Sequence, residues 1–262
     1  MNEIYMDEAS PAFAKCWQAA GIHLEKQAGG KINSWIRANL EPPFLEHLSF
    51  RLGNQLFFIR VEDADEQLAA PGNPDGLFTI SEGCKGHACV IPMKEHNGEW
   101  RPLLPGWGLL DPVTQQIVNP PELITDENIE MTEWELHDFA VQIVRQSLEG
   151  KGKTLMSWQS NPGVDPAIWF SGENGPEWVV VREVRYPERD AALPDNLQQV
   201  IDHCSKMSSL GHFASVAFVS MDDPMDPMAS ENGNYLPLYR GHGANIRYEG
   251  LKPLSIVSGE TL

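Results

Sequence analysis

Cysteine and long apolar runs are scarce in this sequence, and its first residues are not apolar. Four cysteines in 262 residues are too few for a disulfide framework and favour reduced thiols. No stretch approaches the ~18–20 apolar residues that span a bilayer. The first eight residues, Met1 to Glu8, are acidic and lack the basic and apolar regions of a secretory signal. We therefore expect a cytoplasmic protein that does not enter a membrane.

Positive charge is scarce as well. The chain has 19 Lys and Arg residues against 37 Asp and Glu residues, which gives a formal net charge of −18. Such a charge repels a nucleic-acid backbone unless a local basic patch outweighs it. The candidate patch consists of five cations: Lys151, Lys153, Arg182, Arg185 and Arg189. The same acidic character favours association with a basic protein partner.

The length of the chain and a pair of adjacent prolines indicate two regions. A chain of 262 residues forms one large domain or two small ones. The Pro120–Pro121 segment marks the boundary, so we expect a helical and antiparallel-β region at 1–125 and a second region at 126–262. In the first region, helical patterns cover 11–20 and 31–40. Short strand patterns with turn residues between them, from 45 to 121, predict a small antiparallel sheet or open barrel.

The second region begins with a helix and continues with strands. Thr132 and Glu135 form a capping box, in which each side chain bonds the other residue's backbone N–H, and the helix ends at Gly150. Strand patterns follow at 153–159, 167–170 and 177–186, then a helix at 194–204 and a strand at 213–219. The element order of this region is αβββαβ, and the predicted fold class of the chain is α+β.

Three ionisable residues lie where two of these strands meet. Asp165 opens the second strand, and Glu183 and Arg185 lie two residues apart near the end of the third. Because a strand has a period of two residues, Glu183 and Arg185 project from one face. A tight turn at 171–176 places the second strand beside the third. The sequence therefore predicts two acids and a cation together at the edge of a sheet.

This element order and these residues resemble the core of the PD-(D/E)XK (restriction-endonuclease-like) nuclease superfamily, over the C-terminal half of the chain. Matched residue by residue, Asp165 takes the place of the first acid and Glu183 that of the second. Arg185 stands where the family carries lysine. A carboxylate from the preceding helix often joins the family's site; Glu135 is the candidate here, with Glu133 and Asp138 as alternatives.

The resemblance implies a divalent-metal-dependent nuclease that acts on nucleic acid, with Mg²⁺ or Mn²⁺ held by Asp165 and Glu183. Mg²⁺ takes oxygen ligands and is usually held by one or two carboxylates together with waters and substrate phosphate. The metal polarises the phosphate and helps to ionise the attacking water. Arg185 can bind phosphate or orient that water, but a guanidinium stays protonated and cannot act as a base. Lys153, on the adjacent first strand, is the candidate to replace the missing lysine.

The alternative function is that of a catalytically inactive nuclease-fold protein. Such a protein uses its acidic surface as a partner-binding module, for example in a defence or immunity context, and its partner is a basic protein. Under the nuclease-site hypothesis, we expect Arg185 to pair with Glu183 or Asp165 in the metal-free protein. A guanidinium placed there stabilises two carboxylates that otherwise repel each other.

Overall fold

The structure, a computed structural model, describes residues 10–30, 32, 47–72, 74–225 and 235–254. The chain divides into two units, Met1–Ile129 and Glu130–Leu262. Each unit contains α-helices and a mixed β-sheet, so the predicted α+β class is confirmed. None of the helices in the described part of the chain is long and apolar enough to cross a membrane.

The N-terminal unit begins with helix α1 (Pro11–Gln27), for which the Ser10 side chain accepts the N-cap bond from Phe13. The elements that follow α1 are β1 (Leu48–Leu52), β2 (Gln55–Asp63), α2 (Pro74–Gly83), β3 (His87–His96), β4 (Glu99–Pro102), β5 (Leu109–Leu110), β6 (Ile117–Val118) and a 3₁₀ helix (Pro120–Leu123). The sheet runs in the order β1-β2-β3-β5-β6, with β4 paired to β3. The predicted helix at 31–40 lies outside the described residues, apart from Ile32.

The sheet of this unit is mixed, whereas the sequence predicted an antiparallel one. The hairpins β1–β2 and β3–β4 are antiparallel as expected, but β2 and β3 are parallel. Parallel neighbours need a crossover connection of a dozen or more residues. Helix α2 lies in that crossover, and its segment Pro74–Gly83 contains two glycines and β-branched residues, which favour helix weakly. The sequence-based prediction did not include α2. Without this crossover helix, β3 was expected to be antiparallel to β2, and that expectation is wrong.

The core of the N-terminal unit lies between α1 and the sheet. One stripe of α1 is buried because its apolar residues recur at helical spacing, as at Phe13, Trp17 and Leu24. These side chains pack with strand residues such as Phe50 and Ile91. The whole described stripe and its strand partners are buried, which fixes α1 against this face of the sheet.

The C-terminal unit contains the predicted αβββαβ order. Its elements are α3 (Glu133–Gly150), β7 (Thr154–Trp158), β8 (Ile168–Gly172), β9 (Gly175–Arg185), α4 (Leu197–Cys204), β10 (Gly211–Ser220), β11 (Ala244–Tyr248) and β12 (Lys252–Leu254). The sheet runs in the order β11-β10-β9-β8-β7, with β12 paired to β10. Strands β7, β8 and β9 are antiparallel neighbours, β9 and β10 are parallel, and helix α4 makes the crossover between those two.

Helix α3 begins where the capping box was predicted. Thr132 accepts from the backbone N–H of Glu135, and Glu135 accepts from that of Thr132. The two bonds satisfy N–H groups that an α-helix leaves unpaired at its start. Thr132 and Glu135 therefore fix the position of the first turn, from which several of the ionisable residues considered below project.

Strand β9 is buried on both faces, and its two faces belong to different cores. Val179 and Val181 pack with α3 residues such as Leu136 and Val144. Trp178 and Val180 instead pack in a cluster that contains residues of α4. Successive side chains of a strand point to opposite faces, so the odd-numbered residues of β9 face α3 and the even-numbered residues face α4. This alternation continues into the charged end of the strand.

Candidate functional site

Strands β8 and β9 are neighbours, as the sequence predicted, and their register decides where Asp165 lies. Ile168 pairs with Val179 in an antiparallel ladder. Asp165 lies three residues before Ile168, and Arg182 lies three residues after Val179. Continued in the same register, the ladder therefore places Asp165 opposite Arg182. Arg182 donates two bonds to the Asp165 carboxylate, one from Nη1 to Oδ1 at 2.9 Å and one from Nη2 to Oδ2. Asp165 therefore lies with an even-numbered residue of β9, on the side of the sheet that faces α4.

Glu183 lies on the other side of the sheet. As the next residue after Arg182 it points towards α3, where its Oε2 accepts a bond from Nδ1 of His137 at 2.7 Å. The expectation that Asp165 and Glu183 come together at the edge of the sheet is therefore wrong, because the two side chains lie on opposite faces. A change of one residue in strand register moves every side chain to the opposite face. The spacing of two acids in a sequence does not reveal that register.

Arg185 does not pair with either predicted carboxylate. Its Nη1 donates to Glu130, and its Nη2 lies 2.9 Å from Glu133 Oε1 and donates to the Met131 carbonyl at 2.7 Å. Arg185 is the last residue of β9, and the segment that leads into α3 lies within its reach. The predicted pairing with Glu183 or Asp165 is wrong because these nearer acceptors take the guanidinium.

The helix carboxylate Glu135 is buried and paired with Arg240. Arg240 Nε lies 2.8 Å from Glu135 Oε1, and Nη2 lies 3.0 Å from Oε2. Oε2 also accepts the capping bond from Thr132. Both oxygens of Glu135 therefore hold protein donors, and both members of the ion pair are about 5% exposed. The structure gives Glu135 a role at the start of α3, away from Asp165's ion pair.

The two alternative helix acids also have separate partners. Glu133 is exposed and pairs with Arg185. Asp138 is buried and accepts from Gln142 Nε2 at 2.6 Å and from the Ser160 hydroxyl. None of these contacts brings a helix carboxylate to Asp165. Each candidate acid is thus compensated by a different donor.

This donor set does not fit a divalent metal. A bound Mg²⁺ requires carboxylate oxygens that converge on one point. Asp165 and Glu183 point away from each other, and Asp165 already accepts two guanidinium bonds. Across the described residues, no group of three or more His, Cys, Asp and Glu side chains could hold a metal ion. Asp165 and Glu183 therefore do not converge on a common metal position.

His137 lies beside Glu183 and was not among the site residues predicted from the sequence. Its ring is 1% exposed, and its Nδ1 bonds Glu183. Its Nε2 is buried and has no hydrogen-bond partner among the residues that the structure describes. An imidazole oriented by a carboxylate is the arrangement of a general base, but such a base must reach the proton that it removes. His137 is enclosed by protein. Its place on the apolar stripe of α3, one helical turn before Ala140 and Val141, was the available sequence signal.

Arg182 and Arg240 were also missed as partners of the acids. The signal for Arg182 was its place next to Glu183, since only one of two adjacent strand residues can share a face with Asp165. Arg240 lies 105 residues from Glu135. No local pattern connects residues at that separation, so this pair emerges only from the fold.

Burial suppresses the ionisation of three cysteine thiols. Burial, reinforced by the Asp165 carboxylate, raises the pKa of Cys204 to about 11. Burial followed by a nearby aspartate raises the pKa of Cys16 and that of Cys89 to about 12. Folding therefore favours the neutral thiols. Their contribution to stability is fully present below the ordinary thiol pKa of 9.0 and is lost as pH rises through the folded-state values.

We expect these thiols to resist alkylation at about pH 8, because the reactive thiolate is suppressed in the folded protein. The measurement is iodoacetamide labelling of the native protein, read by mass spectrometry, with a urea-unfolded sample as reference. The control variant is Met207→Cys, since Met207 is 65% exposed and a thiol there should react promptly. Labelling of Cys16, Cys89 and Cys204 at the rate of the unfolded chain would contradict the assignment.

Comparison with known proteins gives one partial similarity. Residues 134–254 match a family model described as "Domain of unknown function (DUF8840)". The match covers α3 from its second residue and continues through β12. No curated protein and no solved structure matches the chain.

Proposed function

We propose that this chain is a non-catalytic protein that keeps a nuclease-like αβββαβ core of the PD-(D/E)XK type and binds a basic protein partner. The observation that carries the proposal is the separation of Asp165 and Glu183 on opposite faces of the sheet, with Asp165 held by Arg182. A metal-dependent nuclease needs its acids on one face. The element order supports descent from such a fold, and the side-chain geometry supports a different use of it.

The state of the basic residues supports the same proposal. Two cations of the candidate phosphate-binding patch, Arg182 and Arg185, form ion pairs with carboxylates of the C-terminal unit. Binding to nucleic acid depends on cations that neutralise phosphates. Guanidinium groups that already neutralise Asp165, Glu130 and Glu133 contribute little to such a patch. The net charge of −18 over the whole chain therefore repels a nucleic-acid backbone, with less compensation from the candidate basic patch.

The partner proposed for this protein is basic because charge complementarity steers association. A surface of one sign raises the rate of encounter with a partner of the opposite sign, and the effect falls with ionic strength. A cytoplasmic setting belongs to the proposal as well. All four cysteines are buried, and none is part of a disulfide bond, which suits a reducing compartment.

The catalytic half of the proposal is tested by incubation of the protein with plasmid, single-stranded DNA and RNA in the presence of Mg²⁺ or Mn²⁺. We expect no cleavage above that of an Asp165→Ala variant purified in the same way, and no heat of Mg²⁺ binding in titration calorimetry. Cleavage that requires the metal and disappears in Asp165→Ala would overturn the proposal. It would restore Asp165 and Glu183 as ligands of Mg²⁺ or Mn²⁺.

The partner-binding half is tested with a defined basic probe. We expect a fluorescent polyarginine peptide to bind at low salt and to be released as sodium chloride is raised, because salt screens exposed charges. A polyglutamate peptide of the same length is the control and should not bind. Absence of polyarginine binding at low salt would remove the electrostatic basis of the proposal.

A further inference from the structure

A cleft of about 590 Å³ lies in the N-terminal unit. One wall is α2, the other is the segment that contains the β5–β6 hairpin and the 3₁₀ helix, and the floor is the start of β3. The size falls within the range of roughly 300–1,000 Å³ that is typical of ligand sites. None of the C-terminal residues considered above lines it, so it is a separate feature of the molecule.

Large apolar side chains around this cleft are exposed. Phe78 of α2 is 38% exposed, Val113 in the hairpin turn is 76% exposed, and Ile117 of β6 is 65% exposed. Single exposed apolar residues are ordinary, but several around one concave surface mark a binding site. Among the described strands, β6 is the outermost on its side of the sheet, so Ile117 lies on an edge strand.

The charge of the cleft has one sign. Glu82 and Glu122 are exposed acids in its walls, and Asp111 lies at the base of the hairpin. The backbone N–H of Thr114 donates to Asp111 at 2.7 Å and holds the pKa of that carboxyl below its ordinary value. The described lining residues include no lysine and no arginine. A ligand that fits must bring the positive charge itself.

We propose that this cleft binds an extended segment of the partner protein in which arginine or lysine alternates with large apolar residues. The cations meet Glu82 and Glu122, and the apolar side chains cover Phe78, Val113 and Ile117. An extended segment also matches β6, the outermost of the described strands on its side of the sheet, along which a further strand can hydrogen-bond. The inference rests on the proposed function for the existence of a basic partner, and it adds the surface and the kind of segment.

Three labelled peptides of equal length test the cleft by fluorescence anisotropy. One alternates arginine with leucine, one alternates arginine with glycine, and one alternates glutamate with leucine. We expect the arginine–leucine peptide to bind most tightly, the arginine–glycine peptide roughly tenfold more weakly because apolar burial is lost, and the glutamate–leucine peptide not to bind. Equal affinity for the first two peptides would overturn the apolar part of the proposal.

Matched variants localise the binding. The double substitution Glu82→Gln and Glu122→Gln should weaken the arginine–leucine peptide roughly tenfold. The control substitutions Glu66→Gln and Glu95→Gln remove the same charge from exposed positions outside the cleft and should have a much smaller effect. Equal losses for the two pairs would show attraction by net charge alone and would overturn the cleft as the site.

A second pair of variants tests the apolar contact. Ile117→Ser should weaken the arginine–leucine peptide and leave the arginine–glycine peptide unchanged. Leu103→Ser, at a residue 53% exposed and outside the cleft lining, is the control. Hydrogen exchange should show protection of α2 and of residues 111–119 when the arginine–leucine peptide binds. Protection elsewhere alone would overturn the assignment.

The same protein variants and peptides distinguish two other possible occupants of the cleft, a small cation and a second copy of the chain. Displacement of the peptide by spermidine at equal affinity would show a site for small cations. Self-association that disappears in Ile117→Ser, measured by light scattering, would show that a second copy of the chain fills the cleft. Either result overturns the proposed segment. Failure of these peptide experiments is independent of the nuclease assay, which alone decides whether the C-terminal unit cleaves nucleic acid.

Discussion

Replacement of Arg240 by alanine is expected to destabilise the C-terminal unit by about 3–5 kcal/mol. Arg240 and Glu135 form a buried ion pair with two bonds, at 2.8 and 3.0 Å. Removal of the arginine leaves the Glu135 carboxylate buried, with the Thr132 capping bond as the remaining contact described above. The same carboxylate caps α3, so the first turn of the helix should open as well. Urea denaturation measures the free energy, and hydrogen exchange of α3 reports the local opening.

The control for this experiment is Arg247→Ala. Arg247 is also an arginine of the C-terminal unit with carboxylate partners, Glu249 and Asp190, but its side chain is 44% exposed. Solvent compensates the loss of an exposed pair, so this variant should unfold close to the wild type. If Arg240→Ala unfolds at the same urea concentration as Arg247→Ala, the Glu135–Arg240 pair does not hold α3 in place.

Replacement of Arg182 by alanine is expected to cost about 3 kcal/mol, since it removes the compensating charge of a buried carboxylate. The Asp165 side chain is 5% exposed, whereas that of Arg182 is 22% exposed. This asymmetry predicts that Asp165→Asn costs less, about 1–2 kcal/mol, because the freed guanidinium can reach water and still donate to the amide oxygen. Urea denaturation of the two variants measures the difference.

The Arg182 experiment also bears on the nuclease hypothesis. Suppose that Asp165 is a metal ligand and that Arg182 takes the place of the metal in the metal-free protein. The Arg182→Ala variant should then bind Mg²⁺, and added Mg²⁺ should restore its stability. We expect neither result, because Glu183 faces the other side of the sheet. Restoration of stability by Mg²⁺, but not by an equal ionic strength of sodium chloride, would contradict the two-face geometry.

The charged end of the C-terminal sheet consists of separate pairs. Asp165 with Arg182, Glu183 with His137, and Glu135 with Arg240 each join two different elements or segments. Pairing reduces the cost of placing a charged group in the protein interior. These contacts therefore link α3, β9 and the segment after β10. They also hold the carboxylates apart, whereas a metal site needs carboxylates that converge on one point.

Much of the fold could be predicted from local patterns. The antiparallel hairpin of β1 and β2 and the Thr132 capping box both depend on residues close together in the chain. Turn residues, caps and apolar periodicity act within one turn of a helix or a few residues of a strand. Helix α2 escaped prediction because its local signals are weak. Its absence from the prediction changed the direction of β3 relative to β2.

The candidate site followed from the sequence only as far as strand order. The sequence by itself determined the αβββαβ element order of the C-terminal unit, the adjacency of β8 and β9, and the excess of acidic charge. Only the tertiary structure decided the register that places Asp165 opposite Arg182, and it alone brought His137 to Glu183 and Arg240 to Glu135. The physical reason is that local patterns specify elements, whereas the face on which a side chain lies depends on a one-residue choice of pairing between distant segments.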